Sequence, residues 1–211
     1  MADSQHGDGP RFPAAPAKPT APEGATLGIV ISLPEPAAER LRRVRAAYGR
    51  PESAVEAPHI TLVTGGPTAD WDSARDHVAA VAARTPRFAV RLRGTGSFRP
   101  VTDVVFVRVV EGWDACRELH DALCAGPLVH GTGYDYHPHV TVAHDAPEEG
   151  LQRAFAELAD FEAEFAVDRI DLFGIDDDGR WALSEELRLG THTGTETGPR
   201  RDAGLGEAGP S

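Results

Sequence analysis

Between residues 23 and 190 the chain alternates short apolar runs with stretches of helical periodicity. Thr26–Leu33 reads as an apolar strand. Pro36–Tyr48 reads as a helix, with Leu41, Val44 and Tyr48 on one face and Gly49 as its stop. His59–Val63 is a short strand. Thr68 or Asp70 caps a helix reaching about Arg84, with Trp71, Ala74, Val78 and Val81 turned inward, and Phe88–Phe98 is a strand. The pattern then restarts. Val104–Val109 is a strand, Trp113–Ala125 a helix and His139–Ala143 a strand; Pro147–Ala159 is a helix and Phe165–Ile175 a strand. The turn Asp176-Asp177-Asp178-Gly179 leads into a further strand, Trp181–Leu189.

The restart is an internal duplication of strand–helix–strand–helix–strand, offset by about 77 to 80 residues. Two copies with so long an offset do not make a solenoid. They predict an α+β fold of two pseudo-symmetric lobes, each a mostly antiparallel sheet with outer helices, with a cleft between them. The flanks differ in kind. Residues 1–22 are rich in Pro, Ala and Gly, and Pro10, Pro13, Pro16, Pro19 and Pro22 recur every third residue along one edge of a polyproline II helix. Residues 191–211 hold too little apolar surface to bury. Both flanks are expected to be disordered tails around a domain spanning 23–190.

Charge narrows the partners. The chain of 211 residues carries 21 Lys and Arg against 33 Asp and Glu, a net of −12. A surface this acidic repels long nucleic acid, because duplex binding rests on clustered cations that neutralise phosphates. Duplex DNA is therefore excluded, and any nucleic-acid substrate should be small or enter by one end. The longest apolar stretch, Ala25–Leu33, is far short of the ~20 residues of a membrane span. With no signal-peptide pattern at the start, the expectation is a soluble cytoplasmic protein without membrane contact. Cys116 and Cys124 lie ~12 Å apart along one helix, too far for a disulfide, which suits a reducing compartment.

The second strand of each copy carries one short pattern: Pro58-His59-Ile60-Thr61-Leu62 and Pro138-His139-Val140-Thr141-Val142. Alternation along a strand places His59 with Thr61, and His139 with Thr141, on one face, and the aliphatic residues on the other. A lone His-x-Thr says little; the same pair at matching places of a duplication points to function. Two imidazoles titrating near pH ~6.5 supply a general base and a general acid together. Two hydroxyls can donate to the non-bridging oxygens of a phosphoryl group. The set suits in-line cleavage of a phosphodiester and calls for no metal or cofactor.

This paired motif in a duplicated α+β chain resembles the 2H phosphoesterases, and within them the 2'-5' RNA ligase / RNA 2',3'-cyclic phosphodiesterase group. The matching segments are 57–63, 96–109, 136–144 and 167–189, which with 27–33 span most of residues 26–190. The resemblance implies a bilobal fold with a cleft between two sheets. It implies hydrolysis of a 2',3'-cyclic phosphate, on a nucleotide or an RNA 3'-end, to a 2'-phosphate, and in some members reversible 2'-5' joining. His59, Thr61, His139 and Thr141 fall on the motif positions. By resemblance the first His acts as acid toward the leaving 3'-oxygen and the second as base toward water; the residues alone leave that order open.

Other residues are candidates of a lesser kind. Phe98 and Arg99, in the segment joining the copies, could stack on a base and contact phosphate. Tyr136, just before the second motif, could line the pocket. Arg40, Arg42, Arg43 and Arg45 surround an apolar stripe and read as an exposed face, while His77 and His120 read as surface or boundary residues. His137 and His139 alternate as zinc ligands can, but His144 has the opposite parity and should point elsewhere in a regular strand. A monomer is expected. The competing readings are a non-catalytic module that binds nucleotides or RNA ends on the same fold, and an adaptor recruited through the Pro-rich tail.

Overall fold

The computed structural model describes residues 26–49, 57–67, 70–128 and 134–191. The tails, apart from Thr191, and the alternative cap Thr68 lie outside the described residues. Twelve elements follow in order among those described: β1 (Thr26–Ser32), α1 (Ala37–Tyr48), β2 (His59–Pro67), α2 (Trp71–Arg84), β3 (Phe88–Ser97), β4 (Val104–Glu111), α3 (Trp113–Cys124), β5 (His139–His144), α4 (Glu148–Glu157), β6 (Glu162–Val167), β7 (Arg169–Ile175) and β8 (Trp181–Arg188). The elements match the periodicity of the sequence closely. Asp70 caps α2 by accepting from the Ser73 amide. The turn before β8 closes on a Gly179-to-Asp176 hydrogen bond of 2.9 Å, with Gly179 at φ 75°, where a side chain would be strained.

The strands form two antiparallel sheets, ordered β2-β1-β7-β8 and β5-β4-β3-β6. Both are α+β lobes of the expected kind, yet neither lobe is one copy of the duplication. The copies exchange elements. The third strand of the first copy, β3, sits in the second sheet, and its counterpart β7 sits in the first. Helix α1 follows β1 in sequence but packs on β5 and α4; α3 follows β4 but packs on β2 and α2. Apolar faces from both sheets and all four helices therefore meet in one continuous core.

One element differs from expectation. The run Phe165–Ile175 is not a single strand but parts of β6 and β7, which lie in different sheets and break at Asp168. The apolar alternation continues through the break, so periodicity alone cannot show it. Asp168 holds the crossing: its carbonyl accepts from the Leu189 amide at 2.8 Å and its carboxylate meets Arg188 at 3.2 Å.

Two mid-strand glycines admit large rings. A Cβ on Gly28 in β1 would lie 2.4 Å from the indole of Trp181, and one on Gly96 in β3 would lie 2.6 Å from the ring of Phe106. These rings cross the sheets because the glycines leave room. Gly28→Ala and Gly96→Ala should each destabilise the fold by about 1–3 kcal/mol through overpacking. Urea unfolding checks this, and unchanged midpoints in both variants would contradict the packing described.

Candidate active site

Each histidine motif lies on the edge strand of its sheet, and the two edges, β2 and β5, face each other across the lobe boundary. The local bonding is the same in both. His59 Nδ1 donates to the Ala57 carbonyl at 2.8 Å, and His139 Nδ1 donates to the His137 carbonyl at 2.7 Å. A carbonyl only accepts, so Nδ1 carries the proton, and Nε2 is the nitrogen that gains or loses one. The proline between each pair, Pro58 or Pro138, keeps the preceding residue extended, which sets its carbonyl back toward the ring.

Both motif strands also bulge at the same place. Thr61 pairs with Val30 and Val63 with Ile29, leaving Leu62 without a partner in the ladder. Thr141 pairs with Phe106 and Ala143 with Val105, leaving Val142 likewise. The extra residue shifts the alternation by one. Ile60, Leu62 and Val63 are buried, as are Val140, Val142 and Ala143. The cleft face consequently carries three positions per strand: His59, Thr61 and Thr64 on β2, and His139, Thr141 and His144 on β5. This corrects the expectation for His144, which in a regular strand would turn away. Asp145, at φ 47°, follows it and sets its carboxylate 3.2 Å from His144 Nδ1.

The motif residues line two adjoining cavities. One, of about 450 Å³, is walled by Thr61, Leu62, Thr64, Phe98, Val101, Tyr134, Tyr136 and His139. The other, of about 370 Å³, is lined by Arg45, His59, Asp103, His139, Thr141, His144 and Asp145. His139, Phe98 and Thr102 belong to both, so the cavities meet at the second histidine. The first is largely apolar and aromatic; the second is polar and charged.

The aromatic surroundings of the two imidazoles differ. His59 packs against Trp181, with ring centres 5.6 Å apart. His139 sits edge-on to Phe98 at 4.9 Å and against Phe106 at 5.2 Å, and these two rings stack on each other at 4.3 Å. Burial among them holds the His139 imidazole below its ordinary range, more than the carbonyl of His137 raises it. Sequence reasoning missed Trp181 and Phe106. Their signal was Gly28 and Gly96, glycines inside strands that mark a close approach.

The lesser candidates separate. Phe98 is part of the wall just described. The Tyr136 ring lines the apolar cavity, while its hydroxyl donates to the Thr61 carbonyl at 3.0 Å. Arg99 lines neither cavity; its guanidinium meets Asp103 at 2.9 Å and Glu148 at 2.6 Å. Two expectations are overturned. Arg45 is not on an exposed face: it is only 4% exposed and its Nε and Nη2 donate to the Thr141 carbonyl at 3.0 and 2.6 Å. It follows Val44 at the margin of the apolar stripe, where α1 meets β5 rather than solvent. His120 is not at the surface either; it is buried and its Nδ1 donates to the Leu62 carbonyl at 2.7 Å. His77 is partly buried and bonds the Leu123 carbonyl at 3.0 Å. Among the described residues no three His, Cys, Asp or Glu side chains come together as a metal site, and no helix is long and apolar enough to cross a membrane.

This geometry has relatives. A "Putative phosphoesterase" of Bacillus cereus (strain ATCC 10987 / NRS 248) is 29% identical over 168 residues, covering 78% of this chain and 96% of the relative. Escherichia coli LigT, solved with 3'-AMP, superposes with a TM-score of 0.59 at 21% identity, over 79% of this chain and 99% of its own. The protein TT0787 of Thermus thermophilus gives 0.58 at 22% identity, over 79% and 100%. At these identities the two solved structures speak for the fold, an α+β pair of lobes. The family model of the 2'-5' RNA ligase superfamily matches residues 33–179, from just after β1 to the turn before β8 and through both histidine motifs. With more than two thirds of its length so matched, the chain belongs to the 2'-5' RNA ligase superfamily, the 2H phosphoesterases.

Proposed function

We propose that the protein is a metal-independent phosphodiesterase that opens 2',3'-cyclic phosphates on small nucleotides or RNA 3'-ends to 2'-phosphates. The observation that carries this is the convergence of His59, His139 and Thr141 on one polar cavity, with Thr61 on the adjoining one. Membership of the phosphoesterase family supports the reaction type. The nucleotide that LigT holds supports the substrate class.

In this reading the neutral His139 is the base. Its Nε2 takes a proton from water as the water oxygen attacks phosphorus. His59, protonated, gives its Nε2 proton to the departing 3'-oxygen as the P–O3' bond breaks. Thr61 and Thr141 donate to the non-bridging oxygens, where charge builds in the five-coordinate state. The wall of Phe98 and Tyr136 is suited to the face of a base. Arg99 stands apart from the cavities and is paired, so it supports no phosphate contact of its own. Asp103, Asp135 and Asp145 about the cleft, with the net charge of −12, favour a substrate with few phosphates over a long RNA. The same displacement with the 5'-hydroxyl of a second RNA end in place of water would form a P–O5' bond as P–O3' breaks and join the ends 2'-5'.

The test is turnover of 2',3'-cyclic AMP in EDTA, resolving 2'-AMP from 3'-AMP. His59→Ala and His139→Ala should each lower kcat about 10²–10⁴-fold. Activity that disappears with EDTA, or 3'-AMP as the product, would contradict the mechanism.

The position of His139 sets a second expectation. Protonation removes a base, and burial holds its pKa below the ordinary ~6.5. The acid limb of kcat/KM should therefore fall below pH ~6.5, with activity retained on acidification until that lower point is reached. A limb above it would assign the base elsewhere.

A further inference from the structure

Thr61 and Thr141 occupy matching positions, and each is held in the same way. Its hydroxyl side faces the cleft, while its backbone carbonyl is gripped from behind by a side chain of the other half of the chain. Tyr136 Oη donates to the Thr61 carbonyl at 3.0 Å. Arg45 donates to the Thr141 carbonyl through two nitrogens, at 3.0 and 2.6 Å. The Tyr136 ring is fixed in turn: it stacks on His120 at 4.0 Å and 4°, and His120 holds the next carbonyl, that of Leu62. No ladder joins β2 to β5, because they belong to separate sheets. The placing of the two threonines therefore depends on side-chain ties: Tyr136 reaches over from the segment before β5 to β2, and Arg45 fixes Thr141 of β5 to α1. The chemistry makes that placing matter, since two hydroxyls must meet two oxygens of one phosphoryl group as it flattens.

We propose that Tyr136 and Arg45 are positioning residues for the reaction, acting through Thr61 and Thr141 respectively. The inference rests on the cyclic phosphodiesterase reading of the site. A misplaced hydroxyl weakens the hydrogen bond to the developing charge more than the bond to the bound substrate. The ties consequently act on kcat more than on KM. Tyr136 grips one threonine carbonyl and Arg45 the other, so the two effects are separable.

Double-mutant cycles read this directly. Tyr136→Phe removes only the hydroxyl and keeps the ring on His120 and in the cavity wall. It should lower kcat for 2',3'-cyclic AMP about fivefold, the scale of one hydrogen bond, with KM within about twofold. In a Thr61→Ala background the same change should have no further effect, while in Thr141→Ala it should keep its full effect. Arg45→Lys retains the cation but not the two-nitrogen grip, and should show the mirror pattern. A purely structural contribution would multiply equally through every background and would overturn the inference. If Arg45→Lys fails to fold, the Tyr136 cycle decides alone. A wild-type protein silent on both cyclic AMP and cyclic-phosphate-ended RNA overturns the functional reading and this inference with it. Turnover by wild type with multiplicative cycles overturns only the inference.

Discussion

The structure depends on how two sheet edges are closed. An edge strand presents unpaired carbonyls that must find donors, and left open it templates association with other strands. Here both edges, β2 and β5, are turned inward to face each other, and bulges at Leu62 and Val142 keep them from simply zipping into one sheet. The exposed carbonyls of Thr61, Leu62 and Thr141 are met by side chains: Tyr136, His120 and Arg45. Every one of these donors comes from the half of the chain opposite its acceptor. The exchange of α1 and α3 between lobes places Arg45 and His120 there, and Tyr136 comes from the segment before β5. The cleft thus exists because the edges approach without pairing, and it stays fixed because side chains tie what the backbone does not.

The bulges decide which residue takes the third cleft-facing position on β2 and β5 while the buried face stays apolar. Strict alternation would put Val63 and Ala143 in the cleft and Thr64 and His144 in the core. One unpaired residue after each threonine reverses this, so two adjacent aliphatics are buried and the polar residue that follows returns to the cleft. That both copies bulge at the same place makes the feature part of the duplicated unit rather than a local accident.

Much of this is legible in the sequence for definite reasons. Period-2 and period-3.6 patterns locate nearly all the elements, because each element buries one face. The repeated His-x-Thr points to the candidate site, because two rare coincidences at matching places are informative where one is not. What stays hidden is non-local. Nothing in the alternation from Phe165 to Ile175 reveals that the chain leaves one sheet and enters another at Asp168. A bulge changes parity without changing composition, so His144 reads as pointing away. Arg45 and His120 look like surface residues because their partners, backbone carbonyls 96 and 58 residues distant, have no sequence signature. Arg99 looks like a phosphate contact because Asp103 and Glu148, which hold it, come together only in the fold.

Near-twofold symmetry would by itself give two identical imidazoles, which is a poor arrangement for the proposed reaction, with its one base and one acid. The symmetry is broken by what lines each ring. Trp181 reaches His59 from β8, across the gap left by Gly28, and touches one side of it. His139 is enclosed by Phe106 from the neighbouring strand and by Phe98 from the segment that joins the copies. That joining segment exists only once, so it falls on one histidine and has no counterpart on the other. Its ring removes water from His139 and favours the neutral form, which is the form a base requires. In the proposed reaction, a duplicated fold with a single linker would thereby draw two roles from two copies of one motif, without any change in the motif itself.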